Sequence, residues 1–141
     1  MTARVAHTAI TAEPLSPDTC LNAVGCAGAG GLGVFIGVVR DHDEGRQVQR
    51  LCYETHPSAL DALVDVCAAV SERHDVLAIA AEHRTGELTV GEIAVVVAVA
   101  AAHRRPAIEA TQDLIDTIKA TVPIWKLQHF ADGSSEWVGC C

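Results

Sequence analysis

Apolar and polar positions alternate along this chain with two different periods, and the places where the period changes mark the predicted elements. The weakly alternating VAHTAIT, residues 5–11, predicts an edge strand. In SPDTCLNAVGCA, residues 16–27, Ser16 fits an N-cap and Pro17 the first helical position, so a short helix is expected there. VFIGVV, residues 34–39, reads as a strand running up to Arg40; the polar turn DHDEGRQ follows, and then a second strand, VQRLCYET, residues 48–55. From Pro57 to Arg73, Leu60, Leu63, Val64, Cys67 and Val70 recur at helical spacing and predict a helix with one apolar face. VLAIAAEH (76–83) and EIAVVVAVAAAH (92–103) are apolar and β-branched, which predicts strands, the second central and covered on both faces. RTGELTVGE between them reads as a turn and short connector. Pro106 is expected to open a helix through Thr121 that buries Ile108, Leu114, Ile115 and Ile118, and Pro123 to stop it. PIWKLQHF and SEWV, joined by ADGS, predict a terminal hairpin. Hairpin-like strands mixed with two substantial helices imply an α+β fold, expected as one domain over residues 1–141.

Gly28, Gly30 and Gly33 fall at the G-x-G-x-x-G spacing that cradles dinucleotide phosphates. That mechanism needs a strand before the glycines and a helix after them. Here the predicted order is helix, then strand. The glycines are therefore read as a helix exit and a flexible or closely packed strand entry.

With half of its 141 residues hydrophobic, the chain can bury a sizeable core. No apolar run is long enough to span a bilayer and the N-terminal stretch does not resemble a signal peptide, so a cytoplasmic protein is expected. The six cysteines show no C-x-x-C spacing and are expected to be reduced, with Cys140 and Cys141 as exposed terminal thiols. The net charge of −8 argues against a nucleic-acid or anionic-membrane partner and makes the few cations informative. The only two lysines, Lys119 and Lys126, lie within one segment, DTIKATVPIWKLQHF.

Each candidate group has two readings. Lys119, in the last turn of its predicted helix, either complements the helix dipole or is an amine whose pKa neighbouring cations pull down for use as nucleophile or base. His103, Arg104 and Arg105 stand where a strand meets a helix, as an oxyanion or phosphate site or as solvated loop cations. Arg40, at a strand end, presents a fork suited to phosphate or carboxylate, or forms a surface ion pair with Asp41 or Asp43. The charged run Asp41 to Glu44 offers hard ligands but reads as a solvated turn. His42, His56, His74 and His83 show no metal-ligand spacing, and neither a metal nor a bound cofactor is expected.

Four features occur together and in order: the strand-end Arg40 with its charged turn and Gly45, the connector HRTGELTVG, AHR before a helix, and KATVPIWK. In that combination, from Gly28 to Val138, the chain resembles the large, catalytic subunit of molybdopterin synthase. The resemblance implies a hammerhead-type α+β domain with a mixed or antiparallel sheet and two main helices. It also implies a homodimer within a heterotetramer, with a small ubiquitin-like sulfur-carrier subunit at each end. The carrier's C-terminal Gly-Gly thiocarboxylate would enter a pocket and pass sulfur to cyclic pyranopterin monophosphate, two transfers giving the molybdopterin dithiolene. By the same resemblance Lys119 is the catalytic lysine and Lys126 the second pocket lysine. Arg40 binds substrate with Val38 and Val39 beside it, His103 and Arg104 reach the site from the neighbouring protomer, and Leu127 and Gln128 contact substrate. A non-catalytic, anion-binding dimerisation module on the same scaffold is the alternative, and a Schiff-base lyase built on Lys119 is a third reading.

Overall fold

In the computed structural model, residues 3–138 are described; Cys140 and Cys141 lie outside them. The elements in chain order are β1 (Arg4–Thr11), α1 (Pro17–Val24), β2 (Gly31–Val38), β3 (His42–Asp43), β4 (Arg46–Thr55) and α2 (Ala59–Arg73). They continue as β5 (Ala78–Arg84), β6 (Gly86–Thr89), β7 (Ile93–Ala101), α3 (Arg104–Thr121), β8 (Ile124–Phe130) and β9 (Ser135–Val138). The expected α+β class holds.

Two sheets divide the strands. The first has the order β1-β5-β7-β2, parallel between β1 and β5 and antiparallel elsewhere, so β1 is the edge strand its weak alternation predicts. β7 is interior and covered on both faces, as its unbroken apolar run requires. Val95, Val97 and Val99 point into the larger core with α2 and α3, whereas Val96, Ala98 and Ala100 point into a smaller one under α1. The second sheet has the order β3-β4-β8-β9, with β6 also paired to β4. The terminal hairpin is present as β8 and β9, its turn closed by Gly133 at φ 87°.

Several expectations shift. RTGELTVGE contains β6, a strand whose residues pair from Arg50↔Thr89 to Tyr53↔Gly86, rather than a plain connector. The polar turn after Arg40 is a small β3–β4 hairpin, tightened by Glu44 at φ 50° and Gly45 at φ 79°. β2 ends at Val38, with a bulge at Gly37/Val38, so Arg40 lies just beyond the strand. α3 begins at Arg104, two residues before Pro106, because a proline in the first turn forfeits only an N–H that has no helical acceptor. Leu60, Val64 and Ile108 are exposed rather than buried. α2 turns Ala59, Leu63, Val66, Cys67 and Val70 inward, and α3 turns Ala107, Ala110, Thr111, Leu114, Ile115 and Ile118 inward. Small residues let these helices sit close, which rotates the buried stripe away from the bulkier neighbours.

The four described cysteines, Cys20, Cys26, Cys52 and Cys67, are free thiols, and burial pushes Cys20 and Cys67 up to about 12, which makes them unreactive. Buried charges are paired: Glu82 accepts from His7 Nε2 at 3.0 Å, and the Arg84 guanidinium meets Glu92 at 3.4 Å.

Candidate active site

The space between the two sheets and the C-terminal half of α3 forms a cavity of about 410 Å³. Three structural events converge on it. β2 delivers Val38, Val39 and Arg40 to one side; the last turns of α3 deliver Ile115, Ile118 and Lys119; and β8, resuming after the Pro123 break, delivers Lys126 and Gln128. Alternation along β8 sends Lys126 and Gln128 to the cavity and leaves Leu127, half-buried, outside its lining. Six of the nine sequence-predicted residues therefore share one wall system, and Leu127 does not.

His103 and Arg104 are also absent from this lining, exposed at the other end of α3. Fifteen residues of helix, about 22 Å of rise, separate Arg104 from Lys119. Within one chain these cations cannot act on the same small molecule.

The cavity floor contains groups that periodicity did not single out. His83, at 2% exposure, packs edge-on to Tyr53 with ring centroids 4.8 Å apart. Its Nδ1 lies 2.6 Å from the Arg84 carbonyl oxygen, which can only accept, so Nδ1 carries the proton. Burial, reinforced by the Lys119 charge and partly opposed by that hydrogen bond, lowers His83 to about 4. His83 is therefore a neutral imidazole at physiological pH, and its Nε2 is an acceptor. Asp43 lines the cavity too, accepting from Arg40 Nη2 at 3.2 Å and from Gln128 Nε2 at 3.1 Å. The surface ion pair weighed for Arg40 thus exists, with Asp43 as its partner. Two-thirds exposure of the Arg40 side chain makes that pair weak and leaves the guanidinium available to a ligand. The sequence signal for His83 was its place in HRTGELTVG; Tyr53 had none, since an aromatic in an alternating strand reads as core.

Chemically, three cations, Arg40, Lys119 and Lys126, face a half-apolar cavity in a chain of net charge −8. Such a site suits an anionic ligand with a flat or apolar body. Among the described residues no group of three or more His, Cys, Asp or Glu side chains could hold a metal ion. No helix among them is long and apolar enough to cross a membrane.

Comparison with known proteins gives the same direction. Residues 10–121 match the family model described as MoaE protein. Molybdopterin synthase catalytic subunit 1 of Mycobacterium tuberculosis is 40% identical over 131 residues, 92% of this chain and 88% of that protein. The molybdopterin synthase catalytic subunit of Bacillus subtilis is 38% identical over 131 residues, 92% of this chain and 83% of that protein. Among solved structures, molybdopterin synthase from Staphylococcus aureus superposes with a TM-score of 0.85 at 32% identity, covering 92% of this chain and 95% of that one. The chain belongs to the MoaE family, the family of molybdopterin synthase catalytic subunits.

Proposed function

We propose that this chain is the catalytic subunit of a molybdopterin synthase, moving sulfur from the thiocarboxylated Gly-Gly terminus of a small ubiquitin-like carrier to cyclic pyranopterin monophosphate to build the dithiolene. The observation that carries the reading is the convergence of Arg40, Lys119 and Lys126 on one cavity. The substrate's phosphate and the carrier's thiocarboxylate are both anions, and a heterocycle needs the apolar wall that Val38, Val39, Ile115 and Ile118 supply. In this reading the Lys119 amine is the proton-transfer group at the reacting carbon. Lys126 and Arg40 hold negative charge, and neutral His83 accepts a hydrogen bond on the cavity floor. The name shared by the M. tuberculosis and B. subtilis relatives, catalytic subunit, itself implies a further subunit, in keeping with a separate carrier.

The working unit in this proposal is a homodimer whose site is completed by the partner's His103 and Arg104. β2 is the last strand of its sheet, and its exposed Leu32, Val34, Phe35, Ile36 and Val38 make an unusually apolar edge. Gly31 of β2 pairs with Ala101, beside the start of α3, whereas Val38 pairs with Ile93, at the cavity end. A two-fold pairing along that edge sets one chain's Arg104 end against the other's Arg40 end, which supports a shared site. Reconstitution with a thiocarboxylated carrier and the cyclic precursor tests the function: dithiolene product is expected. Precursor bound but no product formed would favour the anion-binding module, and borohydride trapping of a carbonyl substrate on Lys119 the lyase.

A further inference from the structure

We infer that Asp43 is a positioning residue that fixes the Gln128 amide with its carbonyl toward the ligand, so that the cavity selects a molecule carrying an N–H or O–H donor at that point. Gln128 lines the cavity at 2% exposure. Its amide could sit either way round, but the group 3.1 Å away is a carboxylate oxygen of Asp43, which only accepts. The amide nitrogen must therefore face Asp43, and Oε1 faces away from it. Oε1 is buried and has no hydrogen-bond partner among the described residues. A buried acceptor left unmet costs stability, and a ligand donor is the group that would meet it.

Asp43 is itself held. Its other carboxylate oxygen accepts from Arg40 Nη2 at 3.2 Å, and the Glu44–Gly45 turn, with both residues at positive φ, fixes the β3–β4 hairpin that carries it. The cavity thus reads two chemistries. Arg40, Lys119 and Lys126 read negative charge, and Gln128, aimed by Asp43, reads a neutral donor. The identification of that donor as an N–H of a pterin ring rests on the function proposed above, whereas the Asp43–Gln128 geometry does not.

The test compares wild type, Asp43→Asn, Gln128→Glu and the double variant by anaerobic equilibrium binding of cyclic pyranopterin monophosphate, alongside kcat and KM. In Asp43→Asn the new amide can donate to Gln128 Oε1, turning the Gln128 amide so that it shows NH2 to the ligand. In Gln128→Glu two carboxylates oppose each other. Each single change is expected to weaken binding about tenfold or more, mostly through KM. In the double variant the introduced asparagine amide donates to one oxygen of the introduced glutamate, and the other oxygen faces the ligand as an acceptor. Affinity should then return to within about threefold of wild type. A double variant no better than its weaker parent overturns the inference, as does a loss confined to kcat. A merely structural role for Asp43 predicts no such rescue, and melting temperatures of all four proteins identify any variant that fails to fold. If wild type does not bind the precursor at all, the proposed function fails. The side-chain amide NMR signals of Gln128 then decide the positioning claim, which requires slow exchange in wild type and its loss in Asp43→Asn; unchanged signals would overturn it.

Discussion

Replacing Gly33 with alanine should destabilise the protein although it adds a single methyl group. β2 crosses α3 so closely that the new carbon would lie 2.5 Å from the Ala107 carbonyl oxygen and would overlap Thr111 Oγ1, which is itself bonded to that carbonyl at 2.7 Å. Ordinary contact begins near 3.4 Å, so strand and helix must part by roughly 1 Å. The obstacles are backbone and a bonded hydroxyl, neither of which swings aside, which places the cost near the upper end of the about 1–3 kcal/mol usual for overpacking. Reduced freedom of the unfolded chain returns about 0.5–1 kcal/mol. A net loss of about 2 kcal/mol should lower the melting temperature by about 6–8 °C in a chain of this size. Thermal unfolding followed by circular dichroism at one fixed protein concentration measures it. Gly28→Ala is the control, because its methyl would meet only Leu77 Cδ1 at 3.5 Å, and its melting point should be unchanged or slightly raised. Adding Thr111→Ala to Gly33→Ala should recover part of the loss, since one of the two obstacles is removed. If Gly33→Ala melts with wild type, the close-packing account of these glycines is wrong.

Three further outcomes are expected. Lys126→Arg keeps the charge, and should weaken precursor binding several-fold while leaving single-turnover rates within about threefold of wild type; a collapse in rate with binding intact would contradict its holding role. Mixing inactive His103→Ala and Lys119→Ala proteins should restore partial activity through hybrid dimers, and no recovery despite demonstrated subunit exchange would refute the shared site. Asp113, held to about 2 chiefly by the Arg73 guanidinium, with His74 and Thr117 also bonded to it, ties the end of α2 to α3. Because its folded pKa is depressed, its contribution is full above the unfolded value near 4 and fades as pH falls toward 2. Asp113→Asn should therefore cost about 1–2 kcal/mol at pH 7, discounted for the exposed part of the side chain, and almost nothing at pH 2; equal losses at both pH values, by urea unfolding, would refute the ion-pair account.

Much of this architecture was legible because strong periods carry it. The unbroken apolar run of β7 announced a strand covered on both faces, and Pro123 marked the break that lets Lys119 and Lys126 approach one cavity from different elements. What periodicity could not supply was long-range. β6 was invisible because four residues with two polar positions gain their strand character only from pairing with β4. The buried faces of α2 and α3 were misphased at Leu60, Val64 and Ile108, since hydrophobicity alone does not register that Ala59 and Ala107 permit closer approach. His83 is apolar-buried and polar-bonded at once, and only the fold shows it against Tyr53. Leu127 lies outside the cavity lining, as simple alternation after Lys126 requires.

The most direct test of the central claim is single-turnover dithiolene formation by Lys119→Arg, with equilibrium binding of the precursor measured on the same protein. The variant keeps a cation on the last turn of α3 but loses an amine able to give up its proton. The account predicts binding close to wild type and a rate lowered about 100-fold or more. Normal turnover would show that Lys119 contributes charge alone and that the amine chemistry assigned to this cavity is wrong.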